Sequence, residues 1–447
     1  MGVAIRLSIE SVLNESSGVV ILPEDKGFVD AVLGQAITPA EYRLLSEAAR
    51  RITVTDHFRD VVRDFDCPEG RTPAGFRIEG RLERDGQLVF DLIRDIGYEE
   101  NGRRRATPLI FSADSANPYE ITAIKEMIGN LTCNPGIIYD LFLNNPKANV
   151  GGKFATREEV MAEIGRVLGP GCDISVEIND PFETNIDRVL EEIAPFEQTL
   201  NRHRLVVKIP HTGPVNRENV GKLLSGDGRL DRRYDQGDTD DYLHGHKLAL
   251  ELQKLGYRTN FTLMFEPHQA PLALQARPAF INAFVRHRLI ASQRFSRDLA
   301  AFDASGDETI LLRLKEFMIA NDYLSGSDQD VPLTRVAGIA RTFLKHRRFD
   351  SAEGADGLDN ARAGLRWLKT SNLPETRLII CSMEGDDNMP DILSMLSEDE
   401  FREMQGRVVI TSEPNYIARF SSSPQVVAYQ RRFMKAAQSA SQAGAAR

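Results

Sequence analysis

A chain of 447 residues can bury a sizeable core, and its length admits one large α/β domain with additions or two to three ordinary domains. The formal net charge of −10 is spread over both signs, with no long basic run and no interleaved aromatic ladder, which argues against a nucleic-acid partner. Four cysteines, Cys67, Cys133, Cys172 and Cys381, lie far apart without metal spacing, and no stretch approaches the roughly 18 to 20 apolar residues of a membrane helix, so the expectation is a reducing, cytoplasmic setting and no membrane partner. The Met1-Gly2 start matches only the opening of a myristoylation signal, and the bland reading is preferred.

Residues 1 to 105 read as an N-terminal extension of unassigned role, one that shields a barrel end, mediates assembly or binds a partner. Helical spacing runs from Thr38 to Val62, with Pro39 suited to a first turn. A charged segment, Arg71 to Arg84, precedes a strand at Leu88 to Ile93. The polar run Glu99 to Arg105 marks a boundary, its basic half a solvated loop. From Leu109 short apolar strands alternate with helices, and strands are placed near 109–113, 131–133, 173–178, 205–209, 258–263, 279–283, 377–382 and 407–411. Eight of them imply an α/β (β/α)8 TIM barrel over residues 106–425 with long inserted βα loops. The insertions, Gly213 to Tyr242 and about Phe295 to Asp359, follow strands and belong on the catalytic face; the second includes a helix near Leu333 to His346. Residues 426–447 read as a helix and a flexible tail that frays after Lys435.

Along a barrel strand, side chains alternate between interior and helix layer, so polar residues two apart among apolar ones mark inward positions. Ser112 and Asp114, Thr132 and Asn134, Ser175 and Glu177, and Asn260 and Thr262 all show this parity. Lys208, in Leu205-Val206-Val207-Lys208-Ile209-Pro210, is the odd member. Burial on that parity disfavours its charged form and lowers its pKa, giving an amine able to attack a carbonyl. The alternative is a salt-bridged or edge-guarding lysine.

The order of motifs resembles the transaldolase family, including its smaller relatives that cleave fructose 6-phosphate. The resemblance is carried by Phe111-Ser112-Ala113-Asp114-Ser115, Leu131-Thr132-Cys133-Asn134-Pro135-Gly136, Ile174-Ser175-Val176-Glu177-Ile178, Val207-Lys208-Ile209-Pro210-His211, Thr259-Asn260-Phe261-Thr262-Leu263 and Phe280-Ile281-Asn282-Ala283-Phe284. It implies that Lys208 holds a ketose as a Schiff base. Glu177 is then the acid/base, acting with a water set by Thr262, and Asp114 the base at the hydroxyl beside the scissile bond. Asn134 and Asn260 would hold substrate hydroxyls, with Asn282, Phe284 and Ser382 lining the substrate. The implied reaction transfers a dihydroxyacetone unit to an aldehyde acceptor without a cofactor or metal. Alternatives are direct aldol cleavage or synthesis, and a sugar-binding barrel that has lost catalysis. The expected partner is a small sugar or ketose, and self-assembly into a homo-oligomer is left open.

Two features depart from that pattern or stand outside it. The resemblance implies two phosphate-gripping cations, one after the sixth strand, where Arg286 or Arg288 can serve, and one after the seventh. The second position is Glu384, which would repel a phosphate dianion, so a non-phosphorylated or cationic substrate, or another phosphate position, is expected. His244 and His246 sit two apart on a helix starting near Asp240, diverge around its axis, and read as surface or loop histidines rather than ligands. His211 opens the loop after the lysine strand as a substrate contact or a loop cap. Asp227 to Asp241 reads as a solvated lid whose carboxylates can take up a cation.

Overall fold

The computed structural model of the chain describes residues 6–15 and 18–445, so the Met1-Gly2 start lies outside the described residues. Eight parallel strands close into a barrel: Ile110–Asp114, Ile128–Thr132, Asp173–Glu177, Leu205–Pro210, Thr259–Thr262, Phe280–Phe284, Arg377–Cys381 and Val408–Ser412. Each coincides with an expected strand to within three residues at either end. Their outward residues, among them Leu131, Ile174, Val207, Ile209, Phe261, Ile281 and Ile380, are fully buried against the surrounding helices. The alternate residues fill the barrel. This double burial explains why the strands read as near-continuous apolar runs.

The barrel interior is layered. Ile110, Val206, Phe280, Ile379 and Val409 form an apolar lower layer, and Ile96 from the N-terminal region plugs it from below. Above lies a hydrogen-bonded polar layer. Asn130 donates to Ser112 at 3.0 Å, as does Thr411 at 3.0 Å, while Asn282 donates to Asn260 at 2.6 Å and Asn260 to Ser175 at 3.1 Å. Buried amides and hydroxyls that satisfy one another cost little to dehydrate.

The continuous helix expected over Thr38 to Val62 is instead a helix Pro39–Ala48, a strand Arg51–Val54 and a helix Asp56–Asp64. Thr38 and Glu41 form a capping box on the first helix, and the Thr55 side chain caps the second. Between them the β-branched run Ile52-Thr53-Val54 pairs in parallel with Gln87–Arg94, so tertiary pairing overrides a spacing that both helices happen to share. The charged run after Arg71 contains an edge strand, Phe76–Leu82, antiparallel to Gln87–Arg94, with Glu79, Gly80 and Arg81 on its exposed stretch. These strands and Val20–Ile21 make a four-stranded sheet with its own core around Phe58, Phe76 and Leu92. The sheet is bolted beneath the barrel by Arg94 on Asp173 at 2.7 Å, Arg377 on Asp95 at 2.6 Å and His203 on Asp64 at 3.0 Å. It therefore shields one barrel end.

Both insertions follow the C-terminal ends of barrel strands. The second is a helical unit of Arg286–Ser305, Glu308–Ala320 and Leu333–His346 with an apolar core around Phe295, Leu314 and Val336. The first is tied to it. Arg229 donates to the carbonyls of Ile319 and Ala320, and Ser327 donates to the Asp231 carbonyl at 3.1 Å. Three of its carboxylates meet cations, Asp231 on Lys222, Asp235 on Arg233 and Asp241 on Arg232, while Asp227, Asp231, Asp235, Asp238 and Asp240 stay exposed, so the segment is solvated as expected but also tied down by ion pairs. The final helix, Pro424–Ala445, continues past Lys435, where fraying was expected. Among the described residues no helix is long and apolar enough to cross a membrane.

Asp173 is fully buried and holds Arg94 and Arg258 from opposite sides at 2.7 Å each. Asp173→Ala leaves two cations without their counter-charge and is expected to lower unfolding stability by about 3–5 kcal/mol in a denaturant titration.

Candidate active site

Lys208 sits mid-barrel, only 5 % exposed. Its neighbours are set by strand register: Glu177 on the third strand and Asn260 on the fifth lie level with it. The Lys208 Nζ is 3.0 Å from Glu177 Oε2 and donates to the Cys133 carbonyl at 3.3 Å. Asp114 ends the first strand, level with Thr132. Arg157 holds the strand end that carries Glu177, donating to the Glu177 carbonyl at 3.1 Å and to Asn179 at 2.9 Å.

The expectation that burial would lower the lysine pKa is reversed. Burial does act in that direction, but the attraction of Glu177 and then Asp114, with the hydrogen bond to Glu177, outweighs it and raises the Lys208 pKa. Lys208 is thus an ammonium at rest, and a proton must leave it before it can attack a carbonyl. Asp114 moves the other way for a carboxyl. Burial pushes it up to about 6; Lys208 opposes the rise, while Glu413 and Glu177 add to it. Lys208 and Asp114 therefore influence each other's protonation, the ammonium holding the carboxyl down and the carboxylate holding the ammonium up.

Thr262 is buried two residues beyond the Asn260 level, and among the described residues neither its hydroxyl nor that of Thr132 has a hydrogen-bond partner. Such groups near a lysine are ready to hold a water or a substrate oxygen. Asn260, level with Lys208, and Asn282 have their amides engaged with each other, with Ser175 and with the Phe261 carbonyl, so a substrate oxygen reaching them competes with these bonds. Asn134 lies at the mouth, and its side-chain amide oxygen accepts from Ile137 N at 2.9 Å, at the start of the π-helical turn Ile137–Leu143. Among the described residues its side-chain NH2 has no acceptor and remains a donor. Phe284 packs on Phe265 at the end of the sixth strand, with ring centroids 4.8 Å apart. Ser382, half-buried, holds a left-handed backbone at φ 56°.

Of the two candidate anion-binding arginines, Arg288 is excluded. It is 2 % exposed and bound by Asp359 and by Glu266, which Arg347 also grips at 2.5 Å. This buried four-membered cluster fastens the helical insertion to the barrel. Two residues from Arg286 on a helix, Arg288 points elsewhere around the axis, and only burial distinguishes them. Arg286 stands at the mouth with its Nε 3.8 Å from Glu384, so the departure noted in sequence faces the one arginine that remains. Arg419 is paired with Asp386 at 3.2 Å.

His211 faces away from the barrel interior, packing against Phe261 at 4.5 Å and His246 at 4.9 Å between ring centroids. Burial pushes its pKa down to about 3. Neither substrate contact nor loop cap describes it. His246 is buried as well, not on the helix surface, because its side of the helix turns toward the strand layer. Glu413 went unflagged, although continuing the alternation of the eighth strand from Thr411 would have marked it inward. The Cys133 carbonyl that receives Lys208 carries no sequence signal.

Residues 111–305 match the family model described as transaldolase/fructose-6-phosphate aldolase. The matched span contains Lys208, Glu177, Asp114, Asn134, Asn260, Thr262, Asn282 and Phe284, and stops before the last two barrel strands.

Arg288→Ala is expected to cost about 3–5 kcal/mol of stability, as for other broken buried pairs. Arg286→Ala, at a half-exposed pair, should cost less than about 1 kcal/mol in the same denaturant titration. The raised Asp114 pKa also has a signed consequence. Between its unfolded value near ~4 and about 6, the folded chain binds the extra proton, so this group makes stability fall as pH rises through that window. Carbon-13 titration of the carboxyl should give a midpoint near 6, shifted further up in Lys208→Met, which removes the opposing charge.

Proposed function

We propose, from the premise that residues 111–305 place this chain in the transaldolase/fructose-6-phosphate aldolase family, that it is an enzyme making and breaking carbon–carbon bonds of a ketose held as a Schiff base on Lys208. The observation that carries this reading is the buried Lys208–Glu177 contact of 3.0 Å with Asp114 coupled to the same charge.

The chemistry follows from the proton positions. As the ketose carbonyl enters, Glu177 takes a proton from the Lys208 ammonium, the freed amine attacks the carbonyl carbon, and a second proton passes from the attacking nitrogen to the new alkoxide to make the carbinolamine hydroxyl. Glu177 then returns that proton to the hydroxyl that leaves as water, with the unpaired Thr262 hydroxyl positioned to hold the water. The resulting iminium is the electron sink. Asp114, ionised above about 6, removes the proton of the hydroxyl on the carbon beyond the scissile bond; that bond breaks, the aldehyde departs, and its electrons pass into the iminium to leave an enamine. Transfer to a second aldehyde runs the same step backwards, with Asp114 returning the proton. If no second aldehyde arrives, Asp114 returns its proton to the enamine carbon instead, and water hydrolyses the resulting three-carbon iminium to release free dihydroxyacetone.

The mouth supports a non-phosphorylated substrate tail in preference to a phosphate dianion. Arg286 faces Glu384, Arg419 faces Asp386, and Asp387 is exposed beside them. A dianion entering there would have to displace a carboxylate from each arginine.

Borohydride reduction in the presence of fructose, dihydroxyacetone or fructose 6-phosphate, followed by mass spectrometry, should locate an adduct on Lys208 and none in Lys208→Met. No adduct with any ketose would overturn the reading. Glu177→Gln should lower kcat by about 10²- to 10⁴-fold. Turnover of fructose should equal or exceed that of its 6-phosphate, and Glu384→Arg should raise kcat/KM for the phosphorylated ketose by about tenfold; strict dependence of the unmodified chain on phosphate would sink the substrate assignment.

A further inference from the structure

One concavity of the surface lies far from the lysine. It is a groove of about 540 Å³ at the opposite end of the barrel, walled by the end of the Gln87–Arg94 strand and by the segments entering the fifth, sixth and seventh barrel strands. Arg94, Arg258, Arg277 and Arg377 line it, and Glu375 is its acidic lining residue. The pattern extends around the barrel floor. Arg204, Arg258, Arg377 and Arg407 stand at or immediately before the fourth, fifth, seventh and eighth strands, and Arg277 three residues before the sixth.

The counter-charges are few and already shared. Asp173 serves both Arg94 and Arg258, Asp95 serves Arg377 and Arg77, and Glu375 faces Arg77 at 3.5 Å. Arg204 and Arg407 are held by backbone carbonyls, which orient a guanidinium without cancelling its charge. Mutual proximity is felt: burial lowers the pKa of Arg94, Arg204 and Arg407, and neighbouring arginines lower each further. Against this field Arg277 is exposed at the groove, and its guanidinium has no hydrogen-bond or ion-pair partner among the described residues. Pro278 disfavours a right-handed helical backbone before it, and Arg277 takes the left-handed region at φ 51°, a conformation that a non-glycine residue holds at a cost.

We propose that this groove binds a phosphate group, free or carried on a small metabolite, gripped by Arg277 with Arg258 and Arg377. Guanidinium forks match the geometry of phosphate oxygens. A nucleic acid is disfavoured as the ligand, because the chain's net charge of −10 repels a long polyanion. The site lies a strand length from Lys208 and does not rest on the Schiff-base reading.

Isothermal titration of the full chain with inorganic phosphate, at constant ionic strength and without ketose, tests it. Saturable binding is expected, weakened roughly tenfold in Arg277→Ala, the worth of one charge-assisted hydrogen bond, and unchanged in Arg286→Ala. The Arg277 side chain is exposed and unpaired, so its truncation should leave the melting curve in place. Repeating the titration with phosphoserine separates the sources: tighter binding than phosphate marks an organic ester, equal binding a free anion, and both accord with the proposal. Absence of saturable binding of either anion, wild-type affinity in Arg277→Ala, or loss in Arg286→Ala would overturn it, the last by placing the anion at the barrel mouth.

Discussion

A lysine ammonium buried in the middle of a barrel is tolerable only because two carboxylates share its charge. Glu177 is in contact with it and Asp114 is coupled to it, and each of the three would be strongly disfavoured without the others. Everything around this set is arranged to keep it in place. The hydrogen-bonded layer of Ser112, Asn130, Ser175, Asn260, Asn282 and Thr411 gives it polar surroundings within the barrel. Arg157 fixes the end of the strand bearing Glu177. A barrel is suited to this because eight strands bring residues far apart in the chain to one level, with parity choosing which of them face inward.

The two ends of the barrel carry opposite electrostatic character. At the mouth Arg286 after the sixth strand and Arg419 after the eighth each meet a carboxylate of the seventh-strand loop, and acidic side chains remain exposed. At the floor arginines outnumber the acids within their reach, and the N-terminal sheet is attached through them. The extension is therefore more than an appendage. Ile96 completes the apolar lower layer, and Arg94 and Asp95 reach the barrel strands directly.

The two insertions contribute a second kind of order. Glu266, Arg288, Arg347 and Asp359 form a buried cluster where the helical unit meets the barrel, and the strap after the fourth strand is stitched to the same unit by Arg229 and Ser327. Charges that look, in sequence, like solvated loop residues are instead the fasteners of a wall beside the mouth. Tyr234 against Phe343 adds an aromatic contact between the two insertions.

What the sequence by itself determined is the strand framework and its parity. Eight apolar runs with helices between them specify a barrel, and alternation identified Lys208, Glu177, Asp114, Asn260 and Thr262 as inward, because a strand's side-chain period of two is a local property. Local pattern could not decide charge state. Lys208 is protonated rather than neutral because its balance depends on carboxylates 31 and 94 residues away along the chain, Glu177 and Asp114. Nor could it separate Arg286 from Arg288 or send His246 inward, since those choices depend on what packs over each helix. Helical spacing likewise ran on through Arg51–Val54 until pairing with Gln87–Arg94 made it a strand. Periodicity is written within a few residues, whereas burial of charge and partner choice are set by contacts that exist only once the barrel has closed.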